Sequence, residues 1–216
     1  MPTLTEQLLK SPSLPAIADE IVSVLERERQ RRLEFYATMN EDQKVEFING
    51  EVVYQSPARH CHNMTRSNIE RLVSTHVLAR GLGLVLSEHA LVSLARNDYE
   101  PDVVFFGNEK ATQFRGDMLH YPAPDLVVEV LSPSTEAVDR GVKLEDYAAH
   151  GVAEYWIVDP DEEVIEQHVL DGKAYRLRLK VRDGEVDSFA INGLRFPARA
   201  AFDPAANLRE VARLSS

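Results

Sequence analysis

The spacing of apolar positions divides the chain into elements. From Pro15 onward Ile17, Ile21, Val22, Val24 and Leu25 recur at helical intervals and give way to Glu26-Arg27-Glu28-Arg29-Gln30-Arg31-Arg32. This predicts an amphipathic helix to about Tyr36 whose charged second half is either a solvated face or an arm for dimerisation or nucleic acid. Residues 1–15, polar and punctuated by Pro2, Pro12 and Pro15, read as a loosely docked extension. "KVEFINGEVVYQSP" alternates around Asn49-Gly50, the strongest short hairpin signal. After Pro57, the stretch from His62 to Arg80 puts Ile69, Leu72, Val73, His76 and Val77 on one helical face and stops at Gly81.

Beyond Gly81 the period shortens. "LVLSEHALVSLA", "YEPDVVFF", "PDLVVEVLS" and "EYWIVD" each read as one strand, with "DRGVKLEDYAAHG" as a short helix closed by Gly151. Hairpin turns are expected in the tail at Asp171-Gly172 and Asp183-Gly184. Strands come in groups with few helices between them, which predicts an α+β fold around a mixed sheet rather than a doubly wound one.

Composition narrows this picture. With 216 residues, 44% of them hydrophobic, a sizeable core is available, and the expected organisation is a helical extension (residues 1–35) followed by one domain (36–216). The N-terminus lacks a basic start followed by an apolar stretch, and no apolar run approaches bilayer-spanning length, so a soluble, cytoplasmic protein without membrane contact is expected. Cys61 is the single cysteine, which removes an intramolecular disulfide and a thiolate zinc cluster; the flanking His60 and His62 lack the usual ligand spacing. A net charge of −11 argues against nucleic-acid binding by bulk electrostatics but leaves room for a local basic strip and divalent ions.

Two acidic residues break the strand pattern. Glu129 interrupts Leu126-Val127-Val128-Glu129-Val130-Leu131, and Asp102 directly precedes Val103-Val104-Phe105-Phe106. A buried carboxylate is costly unless it is paired or bound to a metal. Neighbouring strands lie about 4.8 Å apart, so adjacency would bring both carboxylates to one point, where Mg²⁺ is a suitable hard counter-ion. Asp139 and Lys143, four apart on the next helix, either join that site or form a surface ion pair. Asp125 lies about 13 Å along the strand from Glu129 and reads as a strand-start residue. In "KAYRLRLKVR", Arg176, Arg178, Lys180 and Arg182 alternate onto one face, as a track for phosphates or as the solvent face of an antiparallel strand.

The succession "VEFINGEVV", "SPARHCHN", "EPDVVFF", "PAPDLVVEVLSPST" and "DRGVKLEDYAAHGVAEYWIVDP" resembles the Uma-type family of restriction-endonuclease-like proteins, within the PD-(D/E)xK nuclease superfamily, over about residues 31–208. The resemblance implies a restriction-endonuclease-like core, a mixed sheet flanked by helices with a Mg²⁺ (or Mn²⁺) site at a fork between two strands. Asp102 and Glu129 are then the acidic ligands, joined by the Val130 carbonyl. Leu131 stands where the superfamily places its lysine, and Lys143 on the following helix takes that role. Glu46 and His62 match positions lining the cleft: Glu46 as support for a second metal or its water, or as an exposed strand carboxylate, and His62 as a phosphate contact or the start of a helix. The implied activity is metal-dependent endonucleolytic hydrolysis of nucleic acid, DNA foremost. In it Lys143 positions the attacking water or offsets charge on the phosphate. Two other readings stay open: an inactive binding or assembly module, and a metal-dependent hydrolase of another phosphate-containing substrate. Cleavage of both strands by a one-site enzyme favours a homodimer.

Overall fold

Apolar alternation assembles two mixed sheets and a short ribbon. The computed structural model describes residues 3–39, 43–88 and 90–216. In chain order these form α1 (Leu4–Leu9), α2 (Leu14–Thr38), β1 (Val45–Ile48), β2 (Glu51–Tyr54), α3 (His60–Arg80), β3 (Gly83–Ser87), β4 (Leu91–Ser93), β5 (Asp98–Tyr99), β6 (Val103–Gly107), α4 (Asn108–Ala111), β7 (His120–Tyr121) and β8 (Leu126–Val130). There follow α5 (Glu136–Val138), a turn of π-helix (Asp139–Lys143), α6 (Leu144–Ala149), β9 (Glu154–Asp159), β10 (Val164–Asp171), β11 (Ala174–Val181), β12 (Glu185–Asp187), β13 (Arg195–Pro197) and α7 (Pro204–Leu214).

The larger sheet runs β11-β10-β9-β8-β6-β3, antiparallel except for β8 and β9, whose parallel pairing requires the helical crossover α5–α6. The smaller sheet runs β2-β1-β5-β4-β7, and β12 pairs with β13. This is the α+β class with mixed sheets flanked by helices. On β8 the two faces separate cleanly. Leu126, Val128 and Val130 join Ile69, Leu72, Val73 and Val77 of α3 and Leu214 of α7 in one core. Val127 and Leu131 join Tyr99, Tyr147, Tyr155 and Ile157 in a second, which reaches toward the smaller sheet. Glu129 shares that second face.

Several local readings hold. The β1–β2 hairpin turns through Asn49 (φ 51°) and Gly50 (φ 84°), the left-handed pair that a two-residue turn demands, and Gly81 (φ 60°) caps α3. Others need correction. "LVLSEHALVSLA" is two strands in two sheets, β3 and β4. The chain bends at Glu88 (φ 48°), and His89 lies outside the described residues. "YEPDVVFF" also divides, into β5 and β6 on either side of Pro101, which has no N–H to offer a ladder. At Asp183-Gly184 the expected hairpin is absent, because β12 leaves β11 to pair with β13. Within the N-terminal stretch, Thr3 and Glu6 form a reciprocal capping box that starts α1; Met1 and Pro2 lie outside the described residues. The tail also ends in a helix, α7, begun by Asp203, whose side chain accepts from the N–H groups of Ala205 and Ala206.

Candidate active site

Asp102 and Glu129 are delivered by neighbouring strands. Val103 of β6 is in register with Val128 of β8, so one step further places Asp102 beside Glu129, and the Asp102 carboxylate accepts the Val130 N–H at 2.8 Å. Both are 3% exposed. They share a cavity of about 830 Å³ with Lys44, His62, Asp139 and Lys143, rimmed by Tyr54 and Arg59.

Each carboxylate has its own cation. Lys44 Nζ lies 2.9 Å from Asp102 Oδ1, and His62 Nε2 lies 3.3 Å from Asp102 Oδ2. Burial pushes the Asp102 carboxyl up, but the Lys44 charge and the His62 hydrogen bond outweigh it and hold the carboxyl below its ordinary range. Glu129 Oε1 accepts from Lys143 Nζ at 2.9 Å and from the Tyr147 hydroxyl at 3.2 Å. Here burial prevails over the Lys143 charge, and repulsion from Asp139 and Asp102 adds to it, so the Glu129 carboxyl is pushed up.

Lys143 is the hub of the site. Its ammonium touches Glu46 Oε1 and Glu129 Oε1 at 2.9 Å each and Asp139 Oδ1 at 3.2 Å, and it lies 5.6 Å from the centre of the Tyr99 ring. The turn carrying Asp139 and Lys143 is wound as π-helix, a departure that often marks functional positions. Both residues are buried, so theirs is no surface ion pair. Glu46 is 1% exposed rather than an exposed strand residue, and it also accepts from Gln55 (2.9 Å) and the Glu100 N–H (3.0 Å).

Other candidates lie apart from this cluster. Asp125 accepts from Lys110 (2.7 Å) and the Gly107 N–H (2.7 Å), a strand-start role. Cys61 is half-buried, with its sulfur 3.8 Å from Asp161. Arg176, Arg178, Lys180 and Arg182 pair with Asp171, Asp187, Glu166 and Glu162 respectively, and none lines the cavity. A bulge in the β10–β11 ladder, where Gln167 faces Leu179 but His168 faces Leu177, interrupts their alternation at Arg178.

Lys44 escaped the sequence reading. A signal was present, since Lys44 and Glu46 are two apart at the start of a strand and therefore point the same way. What the sequence withheld was the approach of β1, in one sheet, to β6 and β8, in the other.

Residues 28–198 match the sequence model of the Uma2 family, described as "Putative restriction endonuclease". The chain belongs to the Uma2 family. Its fold is shared with a solved structure described as "a putative nuclease belonging to DUF820 from Anabaena variabilis", at a TM-score of 0.68 and 17% identity, covering 81% of this chain and 97% of that one. No curated protein matches. Uma2 membership places the chain among nuclease-type proteins. Among the described residues no group of three or more His, Cys, Asp or Glu is placed to hold a metal ion by itself. The donors instead suit a hard divalent cation held by one or two carboxylates, with water and phosphate filling the rest. Burial first, and then repulsion from Asp139 and Asp102, push the Glu129 carboxyl up, and such a cation would relieve the repulsion.

Proposed function

We propose that this Uma2 protein is a cytoplasmic, divalent-metal-dependent endonuclease that hydrolyses phosphodiester bonds of DNA. The observation that carries the reading is the convergence of Asp102 and Glu129 from adjacent strands onto the floor of a cavity that also holds two lysines. Mg²⁺ or Mn²⁺, held by Asp102, Glu129 and the Val130 carbonyl, would stabilise charge on the phosphate and make water more acidic. The protein's own groups prepare that place. The Val130 N–H and His62 fix the Asp102 carboxylate, while Lys143 and Tyr147 fix Glu129. Glu46, tied to Lys143 and Gln55, anchors the ammonium from the opposite sheet. Arg59 at the rim is half-exposed and paired with Asp161 at 2.5 Å. For duplex DNA, cutting both strands with one site per chain calls for a homodimer.

Cleavage of labelled single-stranded, duplex and branched DNA, RNA and nucleotides in Mg²⁺ or Mn²⁺ tests the proposal. Metal-dependent cutting of DNA by the wild type is expected, with Asp102→Ala and Glu129→Gln each at least ~100-fold slower. A folded wild type that binds neither metal nor cuts any member of the panel would sink it in favour of a binding module. Cleavage confined to nucleotides would point to another phosphate-containing substrate.

A further inference from the structure

Lys44 and Lys143 share one cavity but differ in how many carboxylates they neutralise. Lys143 donates a hydrogen bond to Glu129, lies within ion-pair distance of Glu46 and Asp139 as well, and its side chain is 2% exposed. Among the described residues Lys44 Nζ is bonded to one carboxylate, Asp102; its side chain is 25% exposed, and it lines the cavity. Turning Lys143 toward a phosphate would strip three buried carboxylates of their counter-charge, which is strongly unfavourable. Turning Lys44 releases Asp102 alone, and Asp102 keeps the Val130 N–H and His62.

We propose that Lys44 is the catalytic lysine of this site, donating to a non-bridging oxygen of the scissile phosphate, and that Lys143 is a positioning residue for Glu46, Glu129 and Asp139. This rests on the nuclease reading above. In the reaction a water oxygen forms the new bond to phosphorus as the bond to the departing sugar oxygen breaks. The water gives up a proton to solvent, and the departing oxygen takes one from solvent. Lys44 exchanges no proton; its charge opposes the negative charge gathering on the phosphoryl oxygens. It reaches the site from the start of β1, while the position two after Glu129 is Leu131, 4% exposed within the second apolar core.

The test uses the full chain as wild type, Lys44→Met, Lys44→Arg, Lys143→Met and Asp102→Ala, with Mn²⁺ alone and a 5′-labelled oligonucleotide that the wild type cuts. Lys44→Met is expected to bind Mn²⁺ at least as tightly as wild type, because Asp102 loses a competing cation. Its kcat should fall ~100-fold or more, with Lys44→Arg recovering part of the loss. Lys143→Met should instead lower the unfolding temperature by about 5 °C or more. The assignment is overturned if Lys44→Met cuts at the wild-type rate while Asp102→Ala is inactive, an outcome that leaves the nuclease reading intact. It is equally overturned if Lys44→Met loses Mn²⁺ binding together with cleavage, since that marks a structural role. A wild type that cuts nothing and binds no Mn²⁺ removes both readings.

Discussion

Glu166 shows how charge is handled away from the cavity. It faces Lys180 across the β10–β11 ladder and takes a two-point contact from Arg140, and although burial pushes its carboxyl up, those hydrogen bonds and charges bring it down to about 2. A folded-state value below the ordinary 4.5 means the unfolded chain binds the proton more readily. The stabilisation is therefore complete above about pH 4.5 and fades as pH falls toward 2. Glu166→Gln should cost on the order of 2 kcal/mol at pH 7 and almost nothing near pH 2, read as a gap between two melting-temperature profiles that closes on acidification. Parallel profiles would refute the assignment. Leu131 gives a second residue-scale expectation. Its place in the apolar core that contains Tyr147 means that Leu131→Lys, which puts a lysine two positions after Glu129, buries an ammonium among apolar side chains. It should destabilise by roughly 3 kcal/mol or more and fail to rescue Lys143→Met, as denaturant titration and cleavage rates would show.

At the scale of elements, α2 is attached by a few polar anchors rather than by a broad apolar face. Phe35 is its one buried residue, while Ile21, Val22, Leu25 and Leu33 are about half-exposed or more. Arg32 grips Asp98 through Nε (2.6 Å) and Nη2 (2.7 Å) and also donates to the Leu94, Ala95 and Asn97 carbonyls; Tyr36 donates to Asp98 at 2.8 Å. Asp98 is fully buried, so Arg32→Ala removes its ion-pair partner and leaves it the Tyr36 hydroxyl. The expected loss is about 3 kcal/mol, with faster proteolysis within α2 than in the remainder of the chain. Uniform protection along the chain would contradict this. Helices α2 and α3 were readable because they are long and periodic, and the 49–50 turn because its residue pair is distinctive. Strand breaks at Glu88 and Pro101 were not readable, since one apolar run can serve one sheet or two and only its partners decide.

For the whole molecule, the site is a product of two sheets meeting. β6 and β8 of one sheet supply Asp102 and Glu129, the start of β1 in the other supplies Lys44 and Glu46, and the crossover between β8 and β9 supplies Asp139 and Lys143. Metal binding to this assembled site should raise the unfolding temperature, because the unfolded chain scatters the ligands. At a hundredfold excess over its dissociation constant, Mn²⁺ is expected to add about 2.7 kcal/mol, an increment that Asp102→Ala and Glu129→Gln together abolish in a thermal scan.

The sequence by itself determined the class of fold and the two misplaced carboxylates, because local periodicity and a charge within an apolar strand can be read without partners. Only the tertiary structure decided that Glu46 is buried, that Lys143 lies among three carboxylates, and that Lys44 stands at Asp102. It also occupied the cations of β11 with acids away from the cavity. Those are facts of distance between segments far apart in the chain, and the energy of a charge depends on what lies within a few ångströms of it rather than on its neighbours in sequence.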